Sequence, residues 1–325
     1  MTEKERINQR FAKDFNLPIN IFRDDMFEYY HELYYGFWPE EEWCSLNKEI
    51  NEEYGGNMEA WLQHYAEVRD RIIRTLEDSD EYKVFNSMDM ACYALPDEYR
   101  NLPDRNIYTE DCEGKIFISF DLKKANFQAL KYAGVIKEET YEDFIDKFDK
   151  SFYFKKSKYT RQVIFGKLNP KRQITIERYL MSSIIQSNAK FFEGLEYCKS
   201  AKLVAFKSDE IIYEVDAIIT RRVLDEYTER IKSEFGINVR AECITVSRIP
   251  IVNHNGNKVP AFARLNVNTC ETTLKMVSTT FYPQVWKLWN RMGIEKQDRM
   301  FFADDQLAEF IYPLELIEDE DISNK

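Results

Sequence analysis

The chain has 325 residues, of which 44% are hydrophobic and 31% are charged, and its net charge is −12. This composition is typical of a globular protein and excludes a disordered chain. There is no apolar run of about 18 residues and no charged and then apolar amino terminus, so we expect a cytoplasmic protein that does not contact a membrane.

The cysteines and histidines argue against several kinds of chemistry. The six cysteines are far apart and form no C-x-x-C pair, and the three histidines show neither H-x-E nor H-x-x-x-H spacing. We therefore expect reduced thiols, with no zinc site, disulfide framework or histidine-based catalysis.

The charge is unevenly distributed along the chain. Residues 150–207 contain thirteen Lys and Arg against three Glu, a net charge of +10, while the rest of the chain carries −22. A basic segment of this kind indicates either a surface for a polyanion such as nucleic acid or an ordinary solvated face.

Residues 1–105 are predicted to form an acidic helical lobe. Helices are expected at 24–35 and 40–53, and a third follows the Gly55-Gly56 break. Its apolar side chains recur at steps of three and four and are expected to form the core of the lobe: Trp61, Tyr65, Val68, Ile72 and Leu76. The acidic surface of the lobe is a candidate site for a protein partner.

A strand pattern at 115–122, KIFISFDL, carries Asp121 at its far end. A short helix is predicted at 126–133, ending near Gly134, and an acidic helix at 138–148. A carboxylate at the end of a strand and before a helix is a candidate metal ligand.

The basic segment begins with a predicted helix that ends at Gly166, after which Pro170 is expected to break the chain. A long helix is then predicted at 174–197. Arg178, Ser182 and Gln186 follow one another at steps of four, so they share one face of this helix. That face is either a polar surface stripe or a surface that grips nucleic acid.

Residues 202–215, KLVAFKSDEIIYEV, predict two short strands joined by a tight turn that carries Asp209 and Glu210. Two interpretations remain open for this hairpin: a structural hairpin with a polar tip, or a carboxylate site for a divalent metal ion.

The remainder predicts an amphipathic helix at 216–235 that Gly236 ends, then strands at 237–251 and 259–267 joined by a turn at 254–257. Mixed or helical structure is expected at 273–282 and 284–292. The acidic end from residue 315 is expected to fray.

Together these features provide the side chains that nucleotide addition requires. Two carboxylates on separate strands can hold two Mg²⁺ or Mn²⁺ ions, a cation on a neighbouring helix can bind the triphosphate, and an aromatic ring beside it can stack on the base.

The order and wording of these motifs resemble the family A DNA polymerases, the group that includes bacterial DNA polymerase I. Over residues 177–215, ER-YLMSS-IIQSNAKFF and KSDEIIYEV are similar to the family's E-R, P-I-Q-G-x-A-A-D and V-H-D-E-L-x-x-E-V stretches. SFDLKKANF resembles its first metal-binding motif, and RQVIFGKLN resembles its fingers helix. The resemblance covers about 150 residues and several motifs.

The resemblance implies a role for each candidate residue. Asp121 and Asp209 would be the metal ligands and catalytic carboxylates, with Glu210 as an auxiliary carboxylate. The implied nucleotide-binding residues are Arg161, Phe165, Asn126 and Lys158. The implied nucleic-acid-binding residues are Arg178, Ser182, Gln186, Lys171 and Arg172.

Three positions depart from the family pattern: Asn126 replaces a Glu that helps to exclude the 2′-hydroxyl, Ser208 replaces a His, and Asn169 replaces a Tyr. Weak discrimination between ribo- and deoxynucleotides is therefore expected. The stretch between Pro170 and Arg178 is too short for full fingers, and nothing before residue 115 resembles a proofreading exonuclease.

The resulting expectation is an α+β protein with a polymerase-type palm, an antiparallel sheet backed by helices. Its expected divisions are a helical, thumb-like lobe (1–105), palm (106–148 and 177–270), reduced basic fingers (149–176) and a C-terminal extension (271–325). The predicted function is a two-metal nucleotidyltransferase that adds nucleotides to a primer, with or without a template. The alternative is a catalytically degenerate palm that binds nucleic acid or a protein.

Overall fold

A computed structural model describes residues 1–304 and 306–317 of the chain. The fold is mixed α+β. Its main sheet has six antiparallel strands, and helices precede, separate and follow these strands along the chain. This agrees with the predicted fold class at that level. Within the described ranges, no helix is both long enough and apolar enough to cross a membrane.

The chain begins with helices α1 (Glu3–Asp14), α2 (Asp24–Leu33), α3 (Glu40–Tyr54), α4 (Met58–Asp78) and α5 (Asp80–Ser87). The predicted apolar stripe is confirmed, because all five of its residues are buried in α4. Asn57 caps α4 by accepting a hydrogen bond from the backbone N–H of Ala60. Short 3₁₀ turns follow at Met90–Tyr93, Asp97–Tyr99 and Glu110–Cys112.

The middle of the chain contains strand β1 (Ile116–Leu122) and helices α6 (Ala125–Tyr132), α7 (Tyr141–Ile145), α8 (Phe152–Lys156) and α9 (Lys158–Gly166). The acidic helix predicted at 138–148 is much shorter in the structure. Thr140 caps α7 by accepting a hydrogen bond from the N–H of Asp143, so the helix begins only after this residue.

Two helices, α10 (Pro170–Ser183) and α11 (Ile185–Glu193), replace the single long helix predicted at 174–197. Pro170 begins α10 instead of breaking the chain, because proline is tolerated in the first turn, where its missing N–H has no helical partner. The two helices separate at Ile184, whose φ of −95° and ψ of −2° interrupt the helix.

The predicted hairpin is confirmed as strands β2 (Ala201–Phe206) and β3 (Glu210–Val215). After it come helix α12 (Arg221–Phe235) and strands β4 (Val239–Arg248), β5 (Ile251–Val252), β6 (Lys258–Val259) and β7 (Phe262–Asn266). Gly236 ends α12 with a φ of +68°, as predicted for a residue that terminates a helix in the left-handed region.

The C-terminal part consists of strand β8 (Thr272–Lys275), helix α13 (Tyr282–Trp289), a 3₁₀ turn (Gln297–Arg299) and strands β9 (Met300–Ala303), β10 (Gln306–Glu309) and β11 (Glu315–Leu316). β11 pairs with β5, so the segment from residue 315 begins as a strand. The rest of the tail that was expected to fray, residues 318–325, lies outside the described residues.

The main sheet has the strand order β2-β3-β1-β4-β7-β8, and all of its neighbouring pairs are antiparallel. β1 therefore lies between β3, the second strand of the hairpin, and β4. Its register aligns Asp121 with Glu210 on one side and with Arg240 on the other.

The two faces of this sheet differ. On one face, Ile118, Phe120 and Leu122 of β1 belong to a large core that also contains residues of α11 and α12. On the other face, Phe117 belongs to a smaller apolar cluster. The same face then continues through Ser119 to Asp121, because side chains alternate along a strand.

The large core extends from the N-terminal helices through the basic segment to the sheet. Tyr65 of α4 stacks against Phe154 of α8, with 5.1 Å between ring centroids. Its hydroxyl also forms a hydrogen bond with Thr160 of α9. The helical lobe and the segment predicted as fingers therefore share one interior.

Candidate functional site

The carboxylates of the sequence motifs meet where β1 and the hairpin turn lie side by side. Asp121 and Glu210 are directly opposite each other, and the backbone N–H of Leu122 donates to the carbonyl of Asp209 at 2.7 Å. The structure thus brings Asp121, Asp209 and Glu210 together, although the first two are far apart in the chain.

Asp121 lies in a negative environment. Its burial and the nearby carboxylates of Asp209, Glu210 and Glu242 raise its pKa to about 6, against the lowering effect of Arg240. The Arg240 guanidinium is 3.3 Å from a carboxylate oxygen of Asp121. One arginine thus only partly compensates the charge that collects at this point.

Glu210 is held in place on the same face. Its carboxylate accepts a hydrogen bond of 2.6 Å from the hydroxyl of Ser119, and the Lys207 ammonium lies 3.7 Å away. Because two groups hold this carboxylate, Glu210 is better placed to support the site than to move during a reaction.

A further group of charged side chains lies on β4 and the strands beyond it. Glu242 of β4 forms an ion pair of 2.6 Å with Arg264 of β7, and both side chains are mostly buried. Lys275 of β8 lies close to this pair, and burial together with the positive charge of Arg264 lowers its pKa. The polar half of this sheet face therefore continues from β3 to β8.

A cleft of about 330 Å³ opens beside the carboxylates. Asp121 and Asp209 line one part of it, and helix α9 lines another. Its remaining polar walls come from the β1–α6 connection, the first turn of α6, α9 and β4: Lys123, Lys124, Asn126, Lys158, Arg161, Gln162 and Arg240. The cleft thus combines two carboxylates with five cationic side chains.

Two of the predicted nucleotide-binding residues, Lys158 and Arg161, lie on α9 and face this cleft. The buried hydroxyl of Ser157 caps the helix by accepting from the N–H of Thr160 at 3.0 Å. The guanidinium of Arg161 lies 5.4 Å from the centre of the Tyr141 ring, a cation–π distance. Within residues 1–304 and 306–317, neither Lys158 nor Arg161 forms an ion pair with a carboxylate, so both cations are available to an anion.

Asn126, another predicted nucleotide-binding residue, also lines the cleft and donates a hydrogen bond of 3.2 Å from its side-chain amide to Glu177. Glu177 is 3% exposed. Burial first and then the charge of Asp209 raise its pKa to about 7. The structure therefore adds a buried glutamate beside the predicted carboxylates.

Three predicted binding residues occupy other environments, which corrects the expectation for them. Phe165 is 0% exposed, since its ring packs in the core beside Phe127 and Tyr141, so it is not available to stack on a nucleotide. Ser182 is buried and donates its hydroxyl to the carbonyl of Tyr179, a contact within its own helix.

Arg172 is the third. Its guanidinium donates to the carbonyls of Phe85 and Met88 at 3.1 and 2.8 Å, so it caps the C-terminal end of α5. This contact fastens α10 to the helical lobe and uses the charge that was expected to bind nucleic acid.

Of the other predicted nucleic-acid contacts, Lys171 and Gln186 are exposed. Arg178 is partly buried, with its guanidinium 5.2 Å from the centre of the Phe206 ring. Lys171 and Gln186 lie on α10 and α11 respectively. The predicted single face is interrupted, because Gln186 lies beyond the break at Ile184.

Sequence patterns missed Arg240, Lys123 and Glu177 as parts of this site. Arg240 reaches Asp121 only through the pairing of β1 with β4, and no local motif encodes that register. Glu177 stands next to Arg178 in the E-R motif, directly before the predicted polar face, and this position was the one available signal.

The carboxylates of the cleft are oxygen donors, the ligand type that hard divalent cations take. Among the described residues, no three His, Cys, Asp or Glu side chains form a group that could hold a metal ion. Mg²⁺ in nucleotide-dependent enzymes, however, usually takes one or two carboxylates and completes its shell with water and substrate phosphates. Asp121 and Asp209 line the same cleft, in a place where negative charge is incompletely balanced.

No protein-family model matches the chain, and no curated protein or solved structure matches it either.

Proposed function

We propose that the protein is a metal-dependent nucleotidyltransferase that adds nucleotides to the 3′-hydroxyl of a nucleic acid primer. The observation that carries this proposal is the meeting of Asp121, on β1, and Asp209, in the turn of the neighbouring hairpin, at the edge of a cleft that α9 lines with cations. Carboxylates for metal and cations for a triphosphate are the two requirements of this reaction.

In this reaction the primer hydroxyl attacks the α-phosphorus of a nucleoside triphosphate, the hydroxyl loses its proton, and pyrophosphate leaves. Asp121 and Asp209 would hold two Mg²⁺ or Mn²⁺ ions, which supply activation of the attacking hydroxyl and stabilisation of the leaving group. Lys158 and Arg161 bind the triphosphate, and Glu210 keeps the carboxylate cluster in position.

The finer parts of the proposal follow the resemblance to family A polymerases. The sheet and the helices behind it correspond to a palm, α8 and α9 to reduced fingers, and α1–α5 to a thumb-like lobe. Lys171, Arg178 and Gln186 contact the primer duplex. The protein acts in the cytoplasm, and the acidic surface of the lobe serves a protein partner.

The test is primer extension with labelled DNA and RNA primers, with and without template, supplied with deoxy- or ribonucleotides and with Mg²⁺ or Mn²⁺. We expect extension by the wild type and none by Asp121→Asn or Asp209→Asn. Asp225→Asn serves as the matched control, because Asp225 pairs with Arg221 on the exposed side of α12. Absence of product in every combination, from folded wild-type protein, would refute the proposal.

The second candidate is a palm that binds nucleic acid without catalysis. The ion pair between Arg240 and Asp121 favours it, because a cation already occupies one side of the central carboxylate. Under this alternative, labelled primer binds to the wild type and to Asp209→Asn with equal affinity, and no primer is extended.

A further inference from the structure

Arg240 lies between two carboxylates on the polar face of the sheet. Its guanidinium is 3.3 Å from a carboxylate oxygen of Asp121 and 3.6 Å from one of Glu242. Asp121 is directly opposite Arg240 in the register of β1 with β4. The proposed reaction assigns Asp121 to a metal ion and gives Arg240 no role, although the two side chains form an ion pair.

The two carboxylates differ in how far they depend on Arg240. Glu242 has a second cation, because its other carboxylate oxygen is 2.6 Å from the guanidinium of Arg264 and both of these side chains are mostly buried. Asp121 forms an ion pair with Arg240 alone within residues 1–304 and 306–317. If Arg240 moves away, Glu242 therefore keeps a charged partner, and Asp121 becomes free to bind another cation.

The Arg240 side chain can leave Asp121 at little cost. It is 54% exposed and lines the cleft, and an ion pair exposed to this extent contributes little to stability. A guanidinium also binds phosphate oxygens through two parallel hydrogen bonds, which are stronger than a single exposed ion pair. A triphosphate in the cleft would thus offer Arg240 a better partner than Asp121.

A guanidinium and a divalent cation at Asp121 would compete for the same carboxylate. Both are positively charged, so they repel each other at contact distance. Asp209, the other carboxylate of the cleft, forms no ion pair in the part of the chain that the structure describes. In the free protein, Arg240 therefore opposes cation binding at one of the two carboxylates and not at the other.

We propose that Arg240 changes partners: it occupies Asp121 in the free protein and transfers to the triphosphate of a bound nucleotide, so that the divalent cation and the nucleotide enter the cleft together. This inference rests on the proposed nucleotidyltransferase function. The ion pair at Asp121 is then the resting state of the site, in contrast to the permanent contact expected of a degenerate palm.

The test measures the dissociation constants of Mn²⁺ alone and of Mn²⁺-ATP by isothermal titration calorimetry, without primer, for the wild type and for Arg240→Gln. The variant should bind Mn²⁺ alone about fivefold more tightly, because the competing ion pair is gone. It should bind Mn²⁺-ATP about fivefold more weakly, because the charged hydrogen bonds to phosphate that it loses are stronger than that ion pair.

The opposite signs of these two changes separate an exchange of partners from a structural role. An arginine that only fastened β1 to β4 would, when replaced, weaken both affinities or neither. Arg222→Gln is the matched control, since Arg222 pairs with Glu226 on α12 and is 85% exposed, and it should keep both wild-type constants. Circular dichroism checks that each variant is folded, and Asp209→Asn checks that Mn²⁺ binds at the carboxylates.

Two results would overturn the proposal alone. Arg240→Gln that binds Mn²⁺ no more tightly than the wild type would refute the competition at Asp121, and unchanged or tighter binding of Mn²⁺-ATP would refute the transfer to phosphate. Both leave the proposed function intact if Asp209→Asn weakens Mn²⁺ binding. Failure of every protein to bind Mn²⁺, or binding that Asp209→Asn leaves unchanged, would overturn the proposed function together with this inference.

Discussion

The two faces of the central sheet differ in what occupies the same strands. On the helix-packed face, β1 contributes Ile118 and Phe120 to the large core. On the other face, the alternate residues Ser119 and Asp121 lead from a small apolar cluster to a group of charges. One strand therefore provides both the stability of the fold and the candidate site, which indicates that substitutions on the two faces should have opposite effects.

The largest expected effect is on the helix-packed face. Phe120 is fully buried against Phe192, Tyr213 and Tyr227, with ring centroids 5.7 to 6.3 Å apart. Phe120→Ala should lower the free energy of unfolding by about 3–5 kcal/mol, because it creates a cavity in the core. Urea denaturation measures this loss, and a loss below about 1 kcal/mol would contradict the assignment of this face as the main core.

The opposite effect is expected beside the site, with Glu177→Gln. The pKa of Glu177 is raised to about 7 in the folded protein from an ordinary value of 4.5, so its stability contribution is full below about pH 4.5 and is lost as the pH rises through 7. The variant does not titrate here. At about pH 8 it should therefore be more stable than the wild type by about 2–3 kcal/mol, and at about pH 4 the difference should vanish.

Denaturation with urea at several pH values, without divalent cations, checks this prediction. Glu193→Gln should follow the wild-type profile, because Glu193 is not among the buried residues. A Glu177→Gln variant that is destabilised at every pH would show that the charge of Glu177 stabilises the fold.

A divalent cation should stabilise the protein only through residues on the polar face of the sheet. At tenfold excess over its dissociation constant, Mn²⁺ bound by Asp121 and Asp209 should stabilise the folded protein by about 1.4 kcal/mol, which corresponds to a rise in melting temperature of about 2 °C. Asp209→Asn should abolish the rise, and Phe120→Val, on the other face, should keep it. An equal rise in Asp209→Asn would place cation binding elsewhere.

The smallest effect is expected from Lys207→Ala. The Lys207 ammonium is 3.7 Å from Glu210 and nearly half exposed, so the pair should contribute less than about 0.5 kcal/mol to stability. Thermal denaturation of the variant is the measurement. A larger loss would show that the polar face depends on this ion pair as well as on the hydrogen bond from Ser119.

The elements of the site could be predicted from local patterns, and their pairing could not. The strand that ends at Asp121 and the hairpin around Asp209 have clear apolar alternation and a turn, and both are present. Their register depends on contacts between residues far apart in the chain, and Arg240 enters the site only through that register. The spacing of residues along the chain does not show which residues face each other across neighbouring strands.

Tertiary contacts also explain the predictions that were wrong. The break between α10 and α11 at Ile184 involves neither Gly nor Pro, so no residue type in the sequence predicts it. Phe165 and Arg172 have the residue types expected of ligand-binding groups. Phe165, however, packs in the aromatic core, and Arg172 donates to a carbonyl at the end of α5. A residue type predicts what a side chain can do, and its neighbours determine whether it is free to do so.

The shared interior of the helical lobe and the basic segment limits how the cleft can change shape. Tyr65 joins α4 to α9, Arg172 joins α10 to α5, and Asn169 donates to Asn86 at 2.9 Å near the same point. Helix α9, which carries Arg161, is therefore tied to the N-terminal helices. A closure of the cleft that moves α9 would move the N-terminal helices with it, a collective motion on the microsecond to millisecond timescale.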